Sequence, residues 1–131
     1  MEQNIAINEN LLILNRETEL KLLTAFSDSV VNVTVFPGYN PKPLLDLVNS
    51  DKLSGIVLKT FGAGNLPSNS QWNELIATCE RHNTIILATT QCPNGKIELG
   101  QYAASNVLQS TAVVDGYDIT SDAALTTLMW V

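Results

Sequence analysis

The run "TIILAT", residues 84–89, contains no charged side chain and is apolar at every position except its two threonines. A segment without polar alternation cannot present one face to water, so it reads as a strand of a parallel sheet covered on both sides. Parallel neighbours cannot be joined by a tight hairpin. They need crossover segments, and helices between strands are the usual solution.

The rest of the chain supplies them. "VVNVTVF", residues 30–36, is rich in β-branched residues and stops at Pro37-Gly38. Asn40 then offers a helix cap, Pro41 suits the first helical position, and Leu44, Leu45 and Val48 recur on one face. "GIVLKTF", residues 55–61, is a second strand. Beyond a glycine loop, Ser68 and Gln71 have the spacing of a capping box, and Trp72, Leu75, Ile76 and Cys79 follow at helical intervals. Past the third strand, Pro93-Asn94-Gly95 turns the chain. Residues 102–108 read as a short helix, 112–114 as a fourth strand, and 121–130 as a helix turning Ala124, Leu125, Leu128 and Met129 inward. The expectation is an α/β domain over 30–131: three layers, with a small, mainly parallel sheet of about four strands flanked by helices. Residues 1–29 fit this alternation less well. Short strands within 5–14 and a weak helix over 17–25 are the expectation there, as a linker or lead-in packed on the domain edge. The last helical pattern reaches Trp130-Val131 without a cap, and we expect a chain cut at both ends.

Charge narrows the range of partners. Thirteen acidic residues against seven basic ones give a net charge of -6, which repels nucleic acids and acidic membrane surfaces, and no basic patch offsets it. No apolar run approaches the length of a membrane span, and residues 1–10 lack the basic-then-apolar order of a secretory signal. A cytoplasmic protein is expected. Cys79 and Cys92 make neither a metal spacing nor a disulfide framework. Neither a metal nor a cofactor is expected.

The stretch "VLKTFGAGNLPSN", residues 57–69, raises the question of a phosphate loop. A dinucleotide fingerprint needs a third glycine where Pro67 stands, and no Gly-Lys-Ser/Thr closes a Walker loop. Gly62 and Gly64 instead shape the loop, permitting unusual backbone angles or close approach. In open α/β sheets, ligands bind beyond the carboxyl ends of the strands. The second strand delivers Lys59, Thr60 and, past the glycines, Asn65; the third delivers Thr89, Thr90, Gln91 and Cys92; the later loop adds carboxylates between Asp115 and Asp118. Such a rim suits a small zwitterion. Lys59 would meet a carboxylate, an aspartate an ammonium, and Asn65 and Thr90 the remaining polar groups.

Three motifs in register, "VLKTFGAGNLPSN", "TTQCPNGKIELGQYAASNVL" and "VVDGYDITSDAALTTLMWV", resemble the smaller, carboxyl-terminal domain of the cytoplasmic, type I L-asparaginases. "VTVFPGYNP" is similar to that domain's first strand and loop, and "IAINENLLIL" to the linker entering it. The resemblance implies that the nucleophilic threonines and their helpers belong to a larger amino-terminal domain with no counterpart in these 131 residues. No catalytic residue is therefore expected in this chain, and alone it should not hydrolyse asparagine. It also implies homo-oligomers in which this domain helps to close a neighbour's active site. In some members it carries a regulatory asparagine site whose positions match Lys59, Asn65, Thr90 and Cys92. A departure is Lys59, where the family commonly has arginine; a lysine is a point charge without the bidentate fork.

Each of these residues also has a plainer reading. Lys59 is then a solvated strand-end lysine, Asn65 braces its own turn, Thr90 satisfies backbone groups, and Cys92 is an inert thiol. Cys79 belongs to a helix's apolar face and to the core. His82 follows Arg81 at a helix end, where a cation suits the dipole. Asp118 is as suited to capping the last helix as to binding an ammonium. Three functions stay open: a regulatory asparagine-binding and oligomer-completing domain, a purely structural assembly domain, and the equivalent domain of a transfer-RNA amidotransferase subunit. A self-sufficient enzyme would have to use Thr90 with Lys59, and no general base is identifiable beside that pair.

Overall fold

The computed structural model describes residues 7, 9–11, 22, 24–67, 69–99 and 108–130. Four strands, β1 (Val30–Thr34), β2 (Gly55–Thr60), β3 (Ile85–Thr90) and β4 (Val113–Asp115), form one sheet in sequence order. All three neighbouring pairs are parallel, in the registers Val33↔Leu58, Leu58↔Ala88 and Ala88↔Asp115. The sheet expected to be mainly parallel is parallel throughout, and the domain is the small three-layer α/β structure read from the strand and helix alternation.

Alternation along the strands sorts side chains between two cores. Ile56, Leu58, Ile86 and Ala88 enter one cluster with Leu44 and Val48 of α1 (Lys42–Asn49) and with Trp72, Leu75, Ile76 and Cys79 of α2 (Ser70–Arg81). Val57 and Leu87 point the other way, against Ala124 and Leu128 of α3 (Ser121–Trp130). Each fully buried aliphatic side chain of this size contributes roughly 1.5–3 kcal/mol through removal of apolar surface from water. With helices on both faces, β2 and β3 are free to be apolar at successive positions.

Several boundaries differ from the sequence reading. The first strand stops at Thr34, two residues early, because the chain leaves the sheet toward Pro37 and Gly38; a single bond, Val35 N–H to the Lys59 carbonyl (3.0 Å), continues the ladder. The Asn40 side chain does accept from the Lys42 N–H (3.0 Å), and the Pro41 carbonyl accepts from the Leu45 N–H (3.1 Å). The start of α2 needs correction: its cap is Asn69, whose Oδ1 accepts from the Gln71 and Trp72 amides at 3.1 Å each. Ser68, chosen for its box spacing with Gln71, lies outside the described residues. The helix expected over 102–108 also lies outside them, apart from Leu108, which is buried in the core. Within the lead-in, Glu9–Leu11 form a short 3₁₀ turn, and most of the rest of 5–14, where strands are expected, and of the helix expected over 17–25 lies outside the described residues.

Met129 and Trp130 end α3, and the Met129 carbonyl accepts from the Ser27 amide at 2.6 Å. That bond ties the segment before β1 to the far end of the last helix. Among the described residues no helix is long and apolar enough to cross a membrane.

Candidate functional site

The carboxyl ends of β2 and β3 open onto a cavity of about 200 Å³, and the loop before α3 forms its far wall. Lys59 sits there for a geometric reason. It follows Val57 in the alternation and so emerges on the α3 side of the sheet, beyond the last apolar layer. Thr90 and Cys92 come from the end of β3 and the turn after it. Asp118, Thr120 and Ser121 come from the approach to α3.

The floor is braced by the backbone and one amide. Gln91 Nε2 donates to the carbonyls of Val35 (2.6 Å) and Lys59 (3.0 Å), while its own N–H donates to the Thr60 carbonyl (3.1 Å). One side chain thus joins the ends of three strands and fixes the backbone of Lys59. The Thr90 hydroxyl donates to the Gly62 carbonyl at 2.7 Å and accepts from the Cys92 N–H at 3.0 Å. Its donor is spent on the glycine loop, leaving acceptor capacity toward the cavity.

Gly62 and Gly64 both take positive φ, +50° and +116°. The loop closes on itself through paired backbone bonds between Phe61 and Asn65 (3.1 and 2.8 Å), with Gly64 buried against Leu99 and Ile97. Two further glycines matter more to the shape of the rim. A Cβ on Gly95 would lie 2.7 Å from the Cys92 Cβ, and one on Gly116 would collide with the Ala88 carbonyl oxygen. The Gly116 loop presses directly onto the end of β3, which is how Asp118 reaches the cavity. Pro93-Asn94-Gly95 and the Asp-Gly pair at Asp115-Gly116 are turn signals visible in the sequence. The close approaches that make these glycines necessary are not.

The structure therefore brings together Lys59, Thr90 and Cys92. Asn65 is not part of the cavity lining: it stands on the neighbouring loop, its Oδ1 buried and without a hydrogen-bond partner among the described residues. Asp118, read as suited either to capping the last helix or to meeting an ammonium, lies in the wall. It is not the helix cap, because Thr120 takes that role: its Oγ1 accepts from the Ala123 N–H at 3.3 Å and its carbonyl from the Ala124 N–H at 2.8 Å. Asp115 is occupied by the Tyr117 amide at 2.7 Å.

Charge around the cavity is unbalanced only locally. The ion pairs among the described residues are Lys42–Asp46, His82–Asp51 and Lys96–Glu98, so Lys59 and Asp118 pair neither with each other nor with another described residue. Lys96, farther along the same loop, is held by a hydrogen bond to Glu98 that raises its pKa, and it lies over the Tyr117 ring at 5.5 Å. The two thiols are distinct. Burial in α2 pushes Cys79 up to about 11, a protonated and inert thiol, whereas Cys92 is exposed in the cavity turn. His82 is at the opposite end of the strands, 2.7 Å from Asp51. Among the described residues no general base faces Thr90, whose proton is directed at a backbone carbonyl. The described lining offers a cation, a carboxylate and hydroxyls, the chemistry of polar recognition rather than of an activated nucleophile.

A three-layer α/β domain with a four-stranded parallel sheet and a braced recess at its strand ends defines the class. Residues 29–131 match the glutaminase/asparaginase C-terminal domain, and the chain belongs to that family. It is 29% identical over 96 residues to L-asparaginase 1 of Escherichia coli, an alignment covering 73% of this chain and 28% of that protein. Its structure is similar to that of L-asparaginase I from Vibrio cholerae, with a TM-score of 0.71 at 30% identity, over 87% of this chain and 34% of the other. It is also 28% identical over 116 residues to a glutamyl-tRNA(Gln) amidotransferase subunit of Sulfolobus acidocaldarius, covering 88% of this chain and 25% of that protein. The chain thus spans about a quarter to a third of the length of these relatives. The resemblance carried by the three motifs is borne out.

Proposed function

We propose that this chain is the regulatory, carboxyl-terminal domain of a cytoplasmic L-asparaginase, binding L-asparagine at the strand ends and completing a homo-oligomer. In the whole protein, hydrolysis of L-asparagine to L-aspartate and ammonia would fall to an amino-terminal catalytic domain, with residues 1–29 as the lead-in joining the two. The observation that carries this reading is the convergence of Lys59, Thr90 and Cys92 on one small cavity in a member of this family. Lys59 is the natural partner for the ligand's α-carboxylate. Thr90 and Cys92 border the other side, and Asn65 contributes from the adjacent loop once a ligand draws its unsatisfied Oδ1 into play.

The test is a calorimetric titration of the 131-residue chain with L-asparagine, with L-aspartate and L-glutamine as controls. Saturable heat at one site is expected for L-asparagine, weaker for the controls. Lys59→Met should lower the affinity about tenfold or more, the cost of losing a charge-assisted contact. No heat into the millimolar range, or a Lys59→Met variant that binds as well as the parent, would remove the regulatory site.

A structural role is the second reading, and exposed apolar surface favours it. Leu22 (85% exposed), Phe26 (56%) and Trp130 (52%) lie on the described surface around the end of α3 and the segment before β1, as expected where another domain or subunit docks. Under that reading the domain binds no ligand of its own. The similarity to the amidotransferase is compatible with either reading.

A further inference from the structure

Resting on the proposed amino-acid site, we infer that Asp118 is its specificity-determining residue, the carboxylate that receives the ligand's α-ammonium and makes the cavity selective for free α-amino acids. Asp118 and Lys59 face one cavity of about 200 Å³ with opposite charges and do not pair with each other. A neutral ligand would leave both charges uncompensated. A simple anion would satisfy Lys59 and be repelled by Asp118, and a simple cation the reverse. A zwitterion satisfies both, and its two charges, carried on one carbon, fix its orientation between the β2 end and the approach to α3.

Asp118 is an exposed residue of the cavity wall, and its carboxylate has no hydrogen-bond or ion-pair partner among the described residues. The capping work at α3 is done by Thr120, and the turn at Gly116 is held by Asp115 through the Tyr117 amide and by the Gly116 N–H to Ala88 carbonyl bond of 3.0 Å. Gly116 lets that turn close onto β3 where any Cβ would collide with the Ala88 oxygen, and Asp118 follows two residues later in the cavity wall. Lys59 alone would accept any small carboxylate. Asp118 narrows the class to those that also carry an ammonium.

The experiment compares L-asparagine with succinamic acid, the same molecule without its α-ammonium, by calorimetry on the 131-residue chain. The parent is expected to bind L-asparagine at least about tenfold more tightly than succinamic acid. Asp118→Asn should lose about tenfold in affinity for L-asparagine while binding succinamic acid no worse, so that the preference collapses. Equal affinities of the parent for the two ligands would overturn the inference while leaving the amino-acid site in place, and this comparison does not depend on any variant folding. An Asp118→Asn protein with an unchanged preference would overturn it as well. Absence of any L-asparagine binding by the parent would overturn the site itself, and the inference with it.

Discussion

The two ends of the strands make an instructive pair. At the amino end, a cavity of about 260 Å³ is lined by Glu80, Asn83, Thr84, Ile85, Thr111 and Ala112. Three of its polar side chains are engaged: Glu80 accepts from the hydroxyls of Ser110 (3.3 Å) and of lining Thr111 (2.5 Å), and buried Thr84 donates to the Leu53 carbonyl at 3.0 Å. His82 and Asp51 pair beside it. At the carboxyl end the recess is smaller, and two opposite charges in it have no partner among the described residues. The ends differ in their charge: at the amino end a carboxylate is engaged by hydroxyls, and at the carboxyl end a lysine and an aspartate line the recess without a described partner.

Substitutions at the two ends should therefore fail in different ways. The largest effect on stability is expected at the carboxyl end, from its backbone. Gly116→Ala drives a Cβ into a main-chain oxygen that cannot rotate away, so the loop or the end of β3 must move. A loss of about 2–3 kcal/mol is expected in denaturant unfolding. An unchanged unfolding midpoint would show that the loop does not press on β3 and would loosen the placement of Asp118. Next is Thr84→Val at the amino end. It keeps the shape but removes the donor to the Leu53 carbonyl, at a cost of about 1–2 kcal/mol, with L-asparagine binding unaffected. A change in ligand affinity would mean that the ends are coupled and the contrast between them too sharp.

Much of this molecule was legible in the chain. The parallel sheet follows from "TIILAT" and "GIVLKT", because continuous apolar runs bounded by turns have no other comfortable home, and α2 follows from the spacing of Trp72, Leu75, Ile76 and Cys79. Local signals misled where two side chains competed for one job. Asn69 and Ser68 can each cap a helix, and the spacing to Gln71 chose the wrong one because capping depends on backbone angles, with Asn69 in an extended conformation (φ −148°, ψ 164°). The site was legible only in part. Strand order places Lys59 and Thr90 at the rim; alternation puts Lys59 on the α3 side, whereas Thr90, level with Thr60, has the opposite parity and borders the cavity from the very end of β3. Asp118 depends on how the Gly116 loop folds back over Ala88 of β3, a contact distant in the chain that no local pattern encodes. Asp118 and Thr120 both have the chemistry of a cap. Only the structure shows that Thr120 is the one used, which leaves the aspartate without a capping role.

The smallest expected effect sharpens the comparison most. His82 is the only histidine, a residue type that invites a catalytic role, and its ring lies 2.7 Å from the Asp51 carboxylate. Asp51 itself takes φ +56°, and Asn83 after His82 takes +54°, so the pair joins two tight turns, the one before β2 and the one before β3. The Asp51 side chain is largely exposed, at 80%, and water competes for it. His82→Ala should therefore cost less than about 1 kcal/mol, measured as a small downward shift in unfolding midpoint. It should leave L-asparagine affinity unchanged, because the ring is at the end of the strands opposite Lys59. A larger loss of stability would show that the turns depend on the pair for their left-handed geometry. A loss of binding would be more consequential, since the effect of a removed side chain would have to travel the whole length of β2 and β3, and the two ends could no longer be treated as independent.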